Sequence, residues 1–426
     1  MCCKRMNLNL QIKSKVVDVF KPRANLESQN AWNLYGDIAW FGVLSGIAGS
    51  FLSVFIIRAG GSDTHVGLLS SLPALIAIFA SIPGSRLVER DTQLLKITLI
   101  TGTLNRLGYL GIALIPFFWA TNQADAIVVC VALLTIPGAI ANVAFTTMFG
   151  QAVRPENRAR VVSIRNVWIG ITSTLAAFLG GKFLDQIQFP FNYQVLFALA
   201  FASSMMSIYY LTRIRLPEST VKIQATIDPV PRGARAFIAM LRTSPRFTQF
   251  SIAAFIFYWG MAFPIPLYSI YMVRVLNASD GWIGLLNMVG SITTIVFYPL
   301  WGRLTQARGN NFAIVLTTLG LATYPFAMML SPTVEWLIPV SFLGGVFSSG
   351  FALALFNRLL EVTPDEHRAS YIAAYNTLIN IAAFISPLLS TSLTAVYGVH
   401  LILGVGAVMR LLGALLFWRR GAATAQ

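Results

Sequence analysis

Apolar positions along the chain fall in blocks of about twenty residues, broken by short polar stretches. A helix needs about 20 such residues to cross the hydrocarbon core of a bilayer. Twelve segments reach that length. They lie near 36–57, 65–84, 97–118, 126–149, 166–184 and 191–212, then 249–273, 282–301, 312–330, 334–356, 371–391 and 398–418. The runs are long and do not alternate, which excludes membrane strands. The longest polar interruption after the N-terminal tail, Arg213 to Arg246, divides six segments from six. Its prolines, Pro217, Pro229, Pro231 and Pro245, prevent one continuous helix. Within it, Ala234 to Arg242 has the pattern of a short amphipathic helix suited to an anionic membrane surface. A solvated linker is the plainer reading. The expected organisation is a tail over 1–30, a six-helix lobe over 31–213, a central loop over 214–246, a second six-helix lobe over 247–420 and a tail over 421–426.

Composition agrees with a membrane protein. The chain has 426 residues, 56% hydrophobic and 11% charged, against about 25% charged in a soluble domain. The net charge of +15 points to nucleic acid only until the cations are placed. Of 31 Lys and Arg residues, 26 fall in the tails and in alternate connections, all on one side of the twelve-span arrangement. Arg58, Lys182 and Arg274 fall on the other side, and Arg106 and Arg410 fall within spans. This asymmetry predicts that both termini are cytoplasmic in a cell (inner) membrane protein, and it removes the nucleic-acid reading. Cys2, Cys3 and Cys130 make no disulfide framework. The stretch up to Asn30 has no signal-peptide apolar core, so the first span is expected to serve as an uncleaved targeting signal.

The two halves repeat one another. HVGLLSSLPALIAIFASIPGSRLVER from His65 matches WIGLLNMVGSITTIVFYPLWGRLTQA from Trp282, with Gly67 opposite Gly284 and Arg86 opposite Arg303. SVFIIRAGGSD, ending at Asp63, matches SIYMVRVLNASD, ending at Asp280. RPENRARVVSIRN from Arg154 matches TPDEHRASYIAAYN from Thr363, with Arg158 opposite Arg368 and Asn166 opposite Asn376. Six spans per copy give both copies one orientation, so the repeat is parallel.

Twelve spans in two parallel halves with a basic central loop resemble the major facilitator superfamily, and the N-terminal third resembles a bacterial branch of it. That family carries G-x-L-x-D-R-x-G between its second and third spans. The second copy here, Gly302 to Gly309, keeps both glycines and Leu304 but has Gln306 and Ala307 for the acid and the arginine. The first copy keeps Leu87, has Glu89-Arg90 for Asp-Arg, and lacks both glycines. The resemblance implies an all-α fold of two lobes rocking about a central cavity. Spans 1, 4, 7 and 10 would line it, and spans 2, 5, 8 and 11 would meet between the lobes. It also makes Glu89, Arg90, Arg303, Gln306 and Arg308 gating-loop residues, with Glu89 expected to engage the start of span 11.

Candidate chemistry is sparse. Span 7 contains Pro264 and Pro266, which bend or loosen it, and Tyr258, Trp259 and Tyr268, read as cavity lining or as interfacial aromatics. Trp40, Asn142, Asn376 and Asn380 complete the candidate cavity set, with interhelical hydrogen bonds the plainer role for the amides. Asp37 is the one acid placed within a span, on the opening turn of span 1. Shielded by Tyr35 and Trp40, it is the candidate for proton coupling, and a helix-start carboxylate is the alternative. Arg106 is a buried charge that must pair, snorkel or reach water, and Arg410 is read as snorkelling. No metal-ligand cluster, phosphate-binding glycine loop or activated nucleophile is present, so no cofactor, metal or enzymatic activity is expected. The leading expectation is a proton-driven secondary transporter, an antiporter exporting an amphipathic organic solute and working as a monomer in the bilayer. Uptake of a neutral sugar- or nucleoside-like solute is the alternative within the class. A non-transporting receptor or assembly factor on the same scaffold is the alternative outside it.

Overall fold

The computed structural model describes residues 26–90, 93–119, 121–216, 244–364 and 368–423; the side chains of 81–90, 368–370 and 420–423 lie outside that description. Apolar sequence in a bilayer must satisfy its backbone internally, and a helix does so within one segment. The helices are α1 (Leu26–Arg58), α2 (Asp63–Arg90), α3 (Leu94–Phe118), α4 (Gln123–Ala152), α5 (Pro155–Gln186) and α6 (Phe191–Thr212). They continue as α7 (Pro245–Ala262), α8 (Ile265–Ile270), a π-turn (Tyr271–Val275), α9 (Asp280–Met329), α10 (Leu337–Val362), α11 (Arg368–Tyr397) and α12 (Val399–Ala423). α9 is 50 residues long, and Gly309, at φ 82°, breaks it into two arms. Only glycine adopts that backbone readily. With α7 and α8 as one broken span and α9 as two, the chain crosses twelve times.

Two connection ends can be named by their residues. On the Arg58 side lie the turns after α1, α3, α5 and the π-turn. On the Arg154 side lie the turns after α4, the Gly309 break and the end of α10. Contacts between the halves run through α5 with α9 and through α2 with α11, while α8 also touches α1 and α2. On the Arg58 side one buried apolar cluster passes through both halves, from Phe51 and Phe55 of α1 to Phe263 and Leu267. Toward the Arg154 side there are two clusters. One, around Leu34, Met148 and Val161, belongs to the first half. The other, around Phe247, Phe257 and Phe351, belongs to the second. The halves are joined at one end and separately packed at the other.

Close approach between the halves depends on small residues, because lipid supplies no hydrophobic drive between helices. A Cβ on Gly284 would lie 2.5 Å from the Ala177 carbonyl oxygen, and one on Gly67 would lie 2.3 Å from Thr391 Oγ1. These two glycines occupy the same place in the repeat. Gly181 likewise leaves room for the Asp280 carbonyl, 2.5 Å from where its Cβ would be.

Two sequence expectations change. α1 begins at Leu26, ten residues before the expected span. Its polar opening turns are used as caps: Glu27 accepts from the Arg154 amide at 3.1 Å and from Asn157 Nδ2 at 3.0 Å. Asn30 donates to the Arg215 carbonyl at 2.8 Å and accepts from its amide at 3.0 Å. Asp37 is therefore eleven residues inside the helix and not on its opening turn. Arg410 also does not snorkel; it is buried. Its Nε donates to the Gly260 carbonyl at 2.9 Å and its Nη1 to the Leu321 carbonyl at 2.9 Å. Those carbonyls sit four residues before Pro264 and Pro325, whose missing amides would have bonded them. Arg410 fills both vacancies. Its Nη2 further donates to the Met261 carbonyl at 3.2 Å and Tyr268 Oη at 2.7 Å.

Candidate functional site

Among the described residues, the interior of the first half holds one carboxylate and two guanidinium groups. α1 presents Asp37, α5 presents Arg165, α6 presents Ser207 and α3 presents Arg106. Arg165 Nη1 donates to Asp37 Oδ2 at 3.0 Å and to the Leu34 carbonyl at 2.7 Å. Ser207 Oγ donates to Asp37 Oδ1 at 2.6 Å and accepts from Arg106 Nη2 at 2.9 Å. Arg106 also donates from Nη1 to the Gly102 carbonyl at 3.1 Å, while its buried Nε has no partner. All three residues are buried. Phe41 lies 5.4 Å from the Arg106 guanidinium, and Phe145 lies 4.8 Å from that of Arg165. Such faces stabilise a desolvated cation. A carboxylate here is indispensable as long as it stays charged, because a buried guanidinium stripped of its partner costs several kcal/mol.

The second half has a different solution at the matching place. Tyr375, next to Asn376, stands where Arg165 stands next to Asn166, so a buried phenol takes the place of the guanidinium. The buried cation of that half, Arg410, is held by neutral carbonyls and a phenol. Among the described residues, a titratable acid is thus built into the first half's interior network and not into the second's.

On the Arg58 side the halves are clasped by reciprocal ion pairs. Arg58 Nε bonds Asp280 Oδ1 at 3.1 Å, and Arg274 bonds Asp63. In the repeated strings Arg58 matches Arg274 and Asp63 matches Asp280. Each copy's arginine therefore takes the other copy's aspartate, as in a two-fold interface where residue i meets j and j meets i. Tyr193 Oη donates to the same Asp280 oxygen at 2.8 Å, and Asp185 Oδ2 accepts from Ser279 Oγ at 2.9 Å and the Gly281 amide at 3.0 Å.

A cavity of about 470 Å³ opens among α1, α2, α3 and α4, with Ser53, Ser70, Asn105, Tyr109, Thr135 and Asn142 as its polar lining. It lies within the first half; α7 and α10 do not contribute. Of the expected cavity residues, Asn142 lines it. Trp40, Tyr258, Trp259, Asn376 and Asn380 do not. Trp40 and Asn376 are exposed, and Tyr258, Trp259 and Asn380 are half-buried. Arg303, Gln306 and Arg308 are exposed at the end of α9's first arm, with Arg308 stacked 5.0 Å over Phe312. The side chains of Glu89 and Arg90 and the first side chains of α11 lie outside the described residues, as does the central loop from 217 to 243.

Sequence reading missed Arg165, Ser207 and the clasp. Arg165 sits among loop-like basic residues, yet Pro155 is at the first turn of α5, which puts Arg165 almost three turns inside. The clasp had a visible signal. The matched strings each end on an Arg and an Asp, on the side otherwise poor in cations.

Twelve passes in two like-oriented halves, joined at one end and parted at the other, define a membrane transporter of the two-lobe class. The sequence pattern of the Major Facilitator Superfamily matches residues 38–251 and 250–425, and the chain belongs to this family. It is a multi-pass membrane transporter of small molecules, and not an enzyme. It is 26% identical over 157 residues to the Staphyloferrin B transporter of Staphylococcus aureus (strain NCTC 8325 / PS 47), a match over 34% of this chain and 36% of that protein. The chain thus spans about a third of that relative's length. Solved structures share the fold, among them the following three. A POT family transporter in complex with 5-aminolevulinic acid has a TM-score of 0.72 at 13% identity, covering 93% of this chain and 96% of its own. A bacterial homologue of the human lysosomal transporter Spinster, inward-facing and unoccupied, has 0.70 at 12%, covering 94% and 98%. The nucleoside transporter NupG has 0.66 at 12%, covering 93% and 98%.

Proposed function

We propose that the chain is a proton-driven secondary transporter that exports a small amphipathic organic solute by alternating access, as a monomer, across the cell (inner) membrane. The observation that carries this reading is the one-ended closure. The reciprocal clasp and the shared apolar cluster hold the Arg58 side shut, while the Arg154 side keeps its two clusters apart. A carrier working by alternating access has such a state and its converse. The excess of Lys and Arg on the Arg154 side supports a cytoplasmic placement of that side and of both termini. The state described is then the one that loads from the cytoplasm, as export requires.

For coupling, we assign the proton to Asp37. Protonation would remove the one negative charge between Arg165 and Arg106 and leave two uncompensated cations. That cost favours a rearrangement of α1 against α5 and α6, so proton binding and conformation become linked. Reconstitution tests the whole reading. A purified chain in sealed vesicles should accumulate its solute under a pH gradient. Ligand binding without flux supports the receptor reading instead. Orientation is tested by single cysteines at Thr121 and Ala225: on intact cells an impermeant thiol reagent should modify the first and spare the second.

A further inference from the structure

α3 carries two kinds of polar side chain on adjacent faces. Arg106 turns toward α6 and the Asp37 network. Asn105 and Tyr109, one helical turn apart and so on one face, turn instead into the cavity among α1–α4. Asn105 Nδ2 donates to the Leu134 carbonyl at 2.8 Å, Thr135 Oγ1 to Val131 at 2.7 Å and Ser70 Oγ to Val66 at 3.1 Å. These bonds use one donor of each of the three groups and leave the amide oxygen and both hydroxyl oxygens with acceptor capacity to spare. The side chains of Ser53, Tyr109 and Asn142 show no hydrogen bond among the described residues; Ser53 and Tyr109 are half-buried and Asn142 is exposed, and all three line the space.

A polar group at membrane depth without a partner is costly. Six polar side chains from four helices around one cavity are explained if a solute, or water until it arrives, completes their bonds. The backbone is shaped to suit. Pro137 removes one rung of α4. At Gly138 a Cβ would sit 2.6 Å from Asn105 Nδ2, so the glycine leaves Asn105 its place. The volume of about 470 Å³ falls in the range of small-molecule pockets. No carboxylate, ammonium, guanidinium or imidazole is among the lining groups. The remaining walls, such as Leu52 and Leu134, are apolar.

We infer that this pouch in the first half is a binding site for an uncharged solute that bears both hydrogen-bond donors and acceptors on an apolar body. The inference deepens the transporter reading and rests on it for its physiological meaning. Selection is by the neutrality of the lining: a net charge held against these walls meets no counter-ion, and the part of its hydration lost to them is not replaced.

The test uses the full chain in lipid nanodiscs and three probes on one fluorophore: dansylamide (neutral), dansylglycine (anionic) and dansylcadaverine (cationic). Dansylamide should bind saturably, at least tenfold more tightly than either charged analogue. Asn142→Leu, which removes an amide that holds no structural bond, should weaken dansylamide roughly tenfold. Ala139→Phe, which fills the pouch, should abolish its binding. Val408→Phe, on the exposed face of α12, should leave it unchanged. The inference is overturned if dansylamide does not bind, if Asn142→Leu and Ala139→Phe bind it like wild type, or if a charged analogue binds as tightly. Flux separates this from the parent reading. Pouch-dependent binding without any flux leaves the site standing and removes the transport mechanism. Solute flux that Ala139→Phe does not alter removes the site and leaves the transport mechanism standing.

Discussion

Replacing Asp280 with Asn should open the Arg58 side. The Asp280 side chain is 5% exposed and that of Arg58 is 30% exposed. An exposed ion pair contributes about 0–1 kcal/mol, and breaking a buried one costs about 3–5 kcal/mol. This half-buried pair, with the Tyr193 bond to the same oxygen, should contribute about 2 kcal/mol to the closed side. At 25 °C that changes the ratio of closed to open states about 30-fold. The partner clasp is more exposed, at 40% and 17% for Arg274 and Asp63, so Arg274→Gln should shift the same ratio only a few-fold. Spin labels at Thr121 and Thr333, exposed near the Arg58 side on opposite halves, would report the change by double electron–electron resonance. Asp280→Asn should add a long-distance population that wild type lacks. The double variant Arg58→Met with Asp280→Asn should cost less than the sum of the singles, since either one removes the same interaction. If the folded Asp280→Asn protein keeps the wild-type distance distribution, the clasp does not hold that side shut.

Asp37→Asn should retain solute exchange and lose pH-driven accumulation; accumulation equal to wild type would move the coupling site elsewhere. Arg410→Met should lower the unfolding free energy by roughly 3–5 kcal/mol, because it strands the carbonyls of Gly260 and Leu321. Arg410→Lys should recover only part of this, since an ammonium cannot reproduce the planar fork, and full recovery of thermal stability by Lys would refute the role. Gly181→Ala should shift the Thr121–Thr333 distances in the same direction as Asp280→Asn, because its Cβ must displace the Asp280 carbonyl; a shift toward shorter distances would contradict the packing described.

The span count and the parallel repeat were legible because apolar length and internal matches are properties of the chain itself. The inner boundary of α1 was not. Glu27 and Asn30 read as tail residues and Asn33 as lying before the first span, since their partners are groups at the start of α5 and in the stretch after α6, more than a hundred residues away. The same separation hid the Asp37–Arg165 pair: each residue looked like a helix-end or loop charge until α1 and α5 were extended. Arg410 was placed within its span correctly, but the prolines that strand its acceptor carbonyls lie on other helices. The expected cavity set drew on spans 1, 4, 7 and 11. Only Asn142 lines the space described, because that pouch is built from α1–α4 and the residues on spans 7 and 11 belong to the second half.

The most direct test of alternating access driven by protons is a flux measurement on inside-out vesicles, in which the Arg154 side is proposed to face the bath. The tightest ligand from a thermal-stability screen would be the solute, with a pH gradient imposed by dilution. Wild type should accumulate it inside the vesicles, and an uncoupler that collapses the gradient should release it. A ligand that stabilises the protein but enters no faster than in protein-free vesicles would contradict the mechanism.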